Sequence, residues 1–258
     1  MQNSLNIIII GAGLIGLSSA DLLVMAGHRV TIIESNCGPV YGSSYSNSGM
    51  LHPSQSWPWL INEERGDAGT SFRLVHQLAL RSSIVMKKVS ARINLSNQKI
   101  KTGCFKIYKD FETAQNAMSS YKINNINSIQ VMHELDTLGY HALYFKEDKW
   151  GNARKYGLNL EASLQKRGVN FIYNSGPLKL KEKNMKVYLD LNNHIIEPDH
   201  VIITAGVSSS DILKQLDLEL PIKPVRGYAI NYDKPVMSLP KSPIMDSTSH
   251  SAMTVFDN

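Results

Sequence analysis

Residues 5–34 read LNIIIIGAGLIGLSSADLLVMAGHRVTIIE, and the order of elements in this stretch decides the fold. Leu5–Ile10 is a short apolar run rich in β-branched residues, which favours a strand buried on both faces over a helix. Gly11-Ala12-Gly13-Leu14-Ile15-Gly16 follows at once. Leu17–Ala26 then carries apolar residues at helical spacing and stops at Gly27, a good helix C-cap. Arg29–Ile33 is a second strand, and it ends in Glu34. Gly11 permits the tight turn, Gly13 lets the backbone approach a pyrophosphate, and Gly16 lets the helix pack close to the strand. The first helical turn, from Leu14 and Ile15, offers N–H groups and the positive end of a dipole to the phosphates. Glu34, with Ser35 beside it, is placed to accept hydrogen bonds from the ribose hydroxyls of an adenosine. The stretch predicts a parallel βαβ unit that binds a dinucleotide.

The bulk numbers narrow the class. At 258 residues the chain can bury a full core, as one large domain or two. With 43% hydrophobic and 19% charged residues it reads as an ordinary globular chain rather than a disordered one. The formal charge is +5, but its lysines and arginines are scattered, with no basic stripe interleaved with aromatics, which argues against nucleic acid as a partner. A diffuse positive field suits an anionic cofactor and carboxylate substrates, and equally a generally basic surface. Cys37 and Cys104 belong to no CxxC or Cys/His cluster, which fits a reducing compartment and predicts no zinc site. The eight histidines show no HExxH pairing, so no metal is expected. The N-terminus lacks a basic region and a cleavage site, and its apolar stretch is broken by three glycines. No later run approaches the roughly 18 apolar residues of a spanning helix. The expectation is a soluble cytoplasmic protein, or one peripheral to the inner face of a bacterial membrane.

Beyond Glu34 the pattern changes. Residues 36–57 are rich in Gly, Ser and Asn and predict a long ordered loop of the kind that lines a ligand. Apolar residues such as Phe72, Val75, Leu78, Leu80 and Val85 suggest a helix from Thr70 to about Arg92. Phe105–Tyr108 reads as a strand, and Phe111 to about Lys122 as a helix. Ala153–Arg167 is an amphipathic helix ending at Gly168, followed by a strand at Val169–Tyr173. Leu178–Leu180 and Val187–Leu191 alternate apolar and polar, with turn residues at Asn184 and at Asn192-Asn193, and this is a β-meander. Val201–Gly206 is another buried strand that ends in small residues. A plain Rossmann domain continues with further βα units. Here a helix, a strand, a meander and a Thr-Ala-Gly strand instead bring a second backbone approach beside the first glycine turn, the arrangement of folds that enclose an extended cofactor.

Four passages together resemble the FAD-dependent D-amino-acid dehydrogenase family, within the wider group that holds D-amino-acid oxidase, glycine oxidase and sarcosine oxidase. They are residues 7–34, SSYSNSGMLHPS at 43–54, WGNARKYGLNLEASLQKRGVNFIYN at 150–174, and VIITAGVSSSDILKQLDLELPIKPVRGYAI at 201–230. The resemblance implies an α/β fold. A Rossmann-like FAD-binding lobe, with a parallel sheet plus the β-meander, takes residues 1–57 and 150–220. It is interleaved with an α+β substrate lobe built on an antiparallel sheet, residues 58–149 and 221–258. Gly11, Gly13 and Gly16 would hold the pyrophosphate and Glu34 the ribose. Ser44, Asn47, Ser48, Gly49 and Met50 would run beside the flavin ring, Leu178 would meet the adenine through its backbone, and Thr204, Ala205 and Gly206 would close over the cofactor's middle. Arg226, Gly227 and Tyr228 would begin a strand into the substrate lobe, with Tyr228 a substrate-side candidate.

The implied activity is oxidative deamination of a D-amino acid to a 2-oxo acid and ammonia by hydride transfer to FAD, with a respiratory electron acceptor. The alternatives are a glycine- or sarcosine-type oxidase using oxygen, and a non-catalytic flavin-fold remnant. No catalytic acid or base stands out in the sequence. The family pattern continues past a strand like Ser251–Phe256 through a Gly-x-Arg-Pro segment, which this sequence does not contain. The resemblance therefore implies an incomplete substrate lobe, and the chain alone is expected to bind FAD weakly, if at all, and to show little or no dehydrogenase activity.

Overall fold

A computed structural model describes residues 3–55, 68–93, 100–123, 129–135, 139–233, 239–246 and 248–256. In chain order the first half contains β1 (Asn6–Ile10), α1 (Leu14–Met25), β2 (Arg29–Ile33), β3 (Met50–Leu51), α2 (Ala68–Arg92), β4 (Lys101–Tyr108), α3 (Phe111–Ile123) and β5 (Ile129–Leu135). The second contains β6 (Tyr140–Trp150), α4 (Ala153–Lys166), β7 (Asn170–Ile172), β8 (Leu178–Lys183), β9 (Lys186–Leu191), β10 (His194–Ile196), β11 (His200–Ile203), α5 (Ser209–Leu213), β12 (Ile244–Asp246) and β13 (Ser251–Met253). These elements form two compact units: Met1–Asn47 with Ala153–Ile230, and Ser48–Asn152 with Asn231–Asn258.

The first unit is built on β1. Its residues Ile7–Ile10 pair in parallel with His200–Ile203 of β11 on one side and with Val30–Ile33 of β2 on the other. β7 adds to β2, also in parallel, giving the order β11-β1-β2-β7. Strands flanked on both sides and covered on both faces demand continuous apolar sequence, which the isoleucine run supplies. One face of the sheet meets the meander β8-β9-β10, where Ile8, Ile10 and Ile33 pack against Leu180, Leu189 and Leu191. Ile9 and Ile32, on the opposite face by alternation, are buried as completely. Burying each such side chain contributes about 1.5–3 kcal/mol, so the sheet core dominates this unit's stability. α1 turns Gly16, Leu17, Ala20 and Asp21 inward. Asp21 is buried, and Arg167, just past α4, meets its carboxylate at 2.6 Å.

The second unit centres on β4 and β6, antiparallel partners over most of their length with a break in register between Thr102 and Cys104. The sheet order is β13-β12-β4-β6-β3, with β5 also on β6, and β12 runs parallel to β4 while the other pairs are antiparallel. α3 covers it, its Ala114 and Tyr121 packing on Tyr108, Leu143 and Phe145. Asp110 caps this helix by accepting hydrogen bonds from the Thr113 N–H at 2.7 Å and its hydroxyl at 2.8 Å.

One expectation needs correction. The strand foreseen at Arg226–Tyr228 does not form: residues 217–233 contain no strand, and Tyr228 is 91% exposed. A strand needs a ladder partner, and no described residue supplies one here. α2 is a helix as its periodicity suggests, yet Leu78 is 65% exposed and Val75, Leu80 and Val85 are exposed too; the helix instead buries Val89 near its end. The last part of the loop foreseen at 36–57, residues 56–57, lies outside the described residues. Among the described residues no helix is long and apolar enough to cross a membrane, and no group of three or more His, Cys, Asp or Glu could hold a metal.

Candidate functional site

The turn between β1 and α1 is compressed from two sides. Gly11 has φ +106°, a conformation that disfavours any residue with a Cβ, and its N–H donates to the Ile33 carbonyl at 2.8 Å. A Cβ on Gly16 would lie 2.0 Å from the Gly11 carbonyl oxygen and 2.7 Å from the Thr204 hydroxyl. Thr204 reaches the turn from the end of β11. Its N–H donates to the Ile10 carbonyl at 2.8 Å, and its hydroxyl lies 3.0 Å from that oxygen and 2.9 Å from the Gly11 carbonyl. Thr204 therefore staples β11 to the glycine turn.

Gly13 is the N-cap of α1. It receives no side-chain cap bond, and the first helical turn carries no acidic residue. No acid of the helix itself therefore offsets the positive end of its dipole. Around it, the Ser44 hydroxyl accepts the Leu14 N–H at 3.2 Å, and a Cβ on Gly13 would rest 3.4 Å from the same oxygen. Ile15 projects outward, 71% exposed. Ser44 thus stands at the N-terminal end of α1, beside Gly13 and Leu14.

Glu34 is buried and held from four directions. Its Oε2 accepts the Ala12 N–H at 2.8 Å, which ties the acid at the end of β2 to the glycine turn. Its Oε1 accepts the Asn36 N–H at 2.9 Å, the Asn36 side-chain amide at 2.7 Å and the Ser35 hydroxyl at 3.2 Å. Oε1 is crowded, whereas Oε2, with one donor, keeps acceptor capacity. The backbone after β7 passes close by, the Ser175 N–H donating to the Glu34 carbonyl at 3.1 Å. Burial pushes the Tyr173 phenol above its ordinary value, helped by its bond to Glu161 and the Glu34 charge.

The loop after Glu34 folds back over the turn. The Val40 N–H donates to the Ala12 carbonyl at 3.0 Å, and Val40 is fully buried with φ +56°, a left-handed backbone rare for a β-branched residue. Arg154, in the first turn of α4, lies over the Tyr45 ring at 4.3 Å, and Tyr45 in turn meets Tyr41. Val40, Asn36 and Arg154 were not singled out in the sequence. A left-handed valine leaves no compositional trace, and a lone Arg at a helix start looks like any surface cation.

The other candidates are distributed. Leu178 opens β8, and Ala205 and Gly206 follow Thr204 past the end of β11, with Gly206 at φ +60°. Asn47 closes the first unit's loop, while Ser48, Gly49 and Met50 belong to the second unit, where Met50 opens β3. The structure thus brings Gly11, Gly13, Gly16, Glu34, Ser44 and Thr204 together at one turn. Tyr228 stands on a solvent-exposed segment.

Residues 6–256 match the DAO family, described as FAD dependent oxidoreductase. A D-amino acid dehydrogenase of Vibrio atlanticus is 23% identical over an alignment covering 98% of this chain and 74% of the relative. Among solved structures, glycine oxidase from Geobacillus kaustophilus superposes with a TM-score of 0.74 at 17% identity, covering 96% of this chain and 67% of that one. Iminodiacetate oxidase from Chelativorans sp. gives 0.66 at 15% identity over 83% of this chain, which spans 58% of that protein's length. With a family match running from β1 to beyond β13, the chain belongs to the DAO family of FAD dependent oxidoreductases.

Proposed function

We propose that this chain binds FAD through its first unit and takes part in the oxidative deamination of D-amino acids to 2-oxo acids and ammonia. The observation that carries the reading is the N-terminus of α1, with no Cβ at Gly13, no acid in the first turn, and a buried Glu34 carboxylate fastened to Ala12 two residues before Leu14. That donor set fits the ADP half of FAD: N–H groups face a diphosphate, and Glu34 Oε2 accepts a ribose hydroxyl. The Ser44 hydroxyl accepts from Leu14 and so has its own proton to donate to a phosphate oxygen. The D-amino acid dehydrogenase relative, aligned over 98% of the chain, supports the substrate class.

When bound, FAD supplies a two-electron hydride acceptor. Leu178 offers backbone contact to the adenine, Thr204, Ala205 and Gly206 cover the cofactor's middle, and Ser48, Gly49 and Met50 lie along the flavin ring. The small side chains of Ser48, Gly49, Ala205 and Gly206 let main chain, with its fixed dipoles, approach the cofactor. The chain's part in the reaction is then orientation and exclusion of water around the reacting carbon. Tyr228 is the substrate-side residue of this reading.

Peripheral attachment to the inner face of a membrane, with a respiratory acceptor there, belongs to the same proposal. It is supported by α2, which exposes Leu74, Leu78 and Ile84 and contains five Arg or Lys residues and no acid.

The test is a visible spectrum of the purified chain after incubation with FAD, followed by dye reduction with a panel of D- and L-amino acids. Bound flavin with D-specific dye reduction supports the reading. Oxygen uptake with glycine or sarcosine in place of dye reduction points to an oxidase, and absence of flavin binding overturns the proposal.

A further inference from the structure

In the second unit, residues 48–55 are held every few positions. The Thr254 hydroxyl donates to the Ser48 carbonyl at 2.6 Å, and the Gly151 N–H donates to the Gly49 carbonyl at 2.9 Å. Gly49 has φ +64°, and a Cβ there would lie 2.2 Å from the Gly151 carbonyl oxygen and 2.8 Å from the Phe256 ring. Met50 and Leu51 then pair with Trp150 and Lys149.

The segment ends in a single turn of 3-10 helix, Pro53–Gln55, whose anchor is Asp148 on β6. One oxygen of Asp148 accepts the Ser54 N–H and the other the Gln55 side-chain amide, both at 3.3 Å, and the Ser54 hydroxyl donates to the same carboxylate. Asp148 is 1% exposed, and Ser54 and Gln55 are buried with it. His76 adds a contact of 2.7 Å from its Nδ1 to the Pro53 carbonyl.

Two features argue that this carboxylate is present for what it holds. Burying a carboxylate is costly, and an apolar side chain fills such a space more stably. Gln55 gives its amide hydrogen to Asp148 and leaves its Oε1 buried without a hydrogen-bond partner. The Gln55 amide is therefore oriented by Asp148 at the expense of its own bonding.

We infer that Asp148 is a positioning residue: by fixing Ser54 and Gln55 it holds the far end of the 48–55 segment, whose near end, Ser48–Met50, lies beside the flavin ring on the FAD reading above. Removing the carboxylate releases the far end of a segment whose near end stays fastened by Thr254 and Gly151. An asparagine at 148 rescues the hold. Its carbonyl still accepts the Ser54 N–H, and its NH2 group donates to Gln55 Oε1 once that amide rotates.

The test uses the full chain as wild type, Asp148→Ala and Asp148→Asn, with two readouts. The first is amide hydrogen exchange of residues 48–55 without FAD, with residues 178–191 of the meander as internal control for global folding. The second is the visible absorption of FAD bound at saturating concentration. The expected result is exchange about ten-fold faster in residues 48–55 of Asp148→Ala with the meander unchanged. Asp148→Asn should return close to wild type, and the flavin absorption bands should be displaced in the alanine variant alone. Unchanged exchange in residues 48–55, or equal acceleration in the meander, overturns the anchoring role. Faster exchange with an unmoved flavin spectrum overturns the cofactor-positioning role while leaving FAD binding intact. A wild-type chain that takes up no FAD overturns the FAD reading, and with it the flavin half of this inference.

Discussion

Gly16→Ala sets two effects of opposite sign against each other. In a helix interior, alanine is favoured over glycine by about 0.8–1.0 kcal/mol, so propensity alone predicts a more stable protein. The new methyl, however, would stand 2.0 Å from the Gly11 carbonyl oxygen and 2.7 Å from the Thr204 hydroxyl, where ordinary contact begins at 3.4 Å. The nearest obstacle is main chain, which cannot rotate out of the way. α1 must therefore move off β1, or the Thr204 hydroxyl must give up its contacts with Ile10 and Gly11. Overpacking of this kind costs about 1–3 kcal/mol, and a lost hydrogen bond about 0.5–1.5 kcal/mol more. The net expectation is a destabilisation of about 1–3 kcal/mol, or a Tm lower by several degrees at about 2–4 °C per kcal/mol for a chain of this size. Urea denaturation of wild type, Gly16→Ala and Gly42→Ala measures it. Gly42 has no heavy atom near its missing Cβ and no positive φ, so its variant should match wild type or exceed it. A Gly16→Ala protein as stable as Gly42→Ala would refute the claim that helix, turn and β11 are clamped at this point.

Three further outcomes follow from buried groups. Ellman's reagent should modify one thiol quickly in the native protein, exposed Cys37, and the second only on unfolding, because burial pushes the Cys104 thiol up to about 12 and thiolate is the reactive form. Arg167→Ala takes the guanidinium from Asp21, whose side chain is 1% exposed, and should cost about 2–3 kcal/mol in denaturation, less than the 3–5 kcal/mol of a fully buried pair because Arg167 is itself 29% exposed. Burial raises the Asp148 carboxyl above its ordinary 3.8, which outweighs the bonds from Ser54 and Gln55. A carboxyl raised in the folded state contributes stability that is present in full below the unfolded value and lost as pH rises through the folded one. The stability of Asp148→Asn relative to wild type should therefore increase with pH above about 4, and a difference that is flat or falls with pH would contradict this environment for Asp148.

The parts of the fold that were legible in sequence are those decided locally. The isoleucine run, the three glycines and Glu34 each act over a few residues, and β1, α1 and β2 form where their pattern places them. The meander was legible for the same reason, since alternation and Asn turns carry their own register. The elements that depend on distant partners were less so. Arg226–Tyr228 has a strand's composition but no neighbour to pair with. α2 has helical periodicity, but the exposure of Leu74, Leu78 and Ile84 depends on what surrounds it. At the site, Gly11 and Gly16 were readable because the turn admits no Cβ there, and Gly13 and Glu34 by their fixed spacing from them. The approach of the Thr204 strand to that turn was readable too, though not the hydroxyl contacts Thr204 makes there; Val40 in a left-handed backbone and the Asp148 anchor were not. Each is set by a contact between residues far apart in sequence, and each residue type is unremarkable in its own window.

The glycine turn is where cofactor phosphates are proposed to meet main chain, and Gly13→Ala tests that most directly. Gly13 has φ −73°, so alanine is tolerated by the backbone, and the added Cβ would sit in ordinary contact with the Ser44 hydroxyl, 3.4 Å away. Replacing glycine by alanine at an N-cap costs no more than about 1 kcal/mol, so the variant folds. Its methyl would occupy the space through which a diphosphate approaches the helix N-terminus. FAD titrated into both proteins, followed by flavin fluorescence, should bind the variant at least about tenfold more weakly, the equivalent of one charge-assisted hydrogen bond, while the urea midpoints stay close. Equal affinity in the two proteins, or no FAD binding by wild type, would contradict the account.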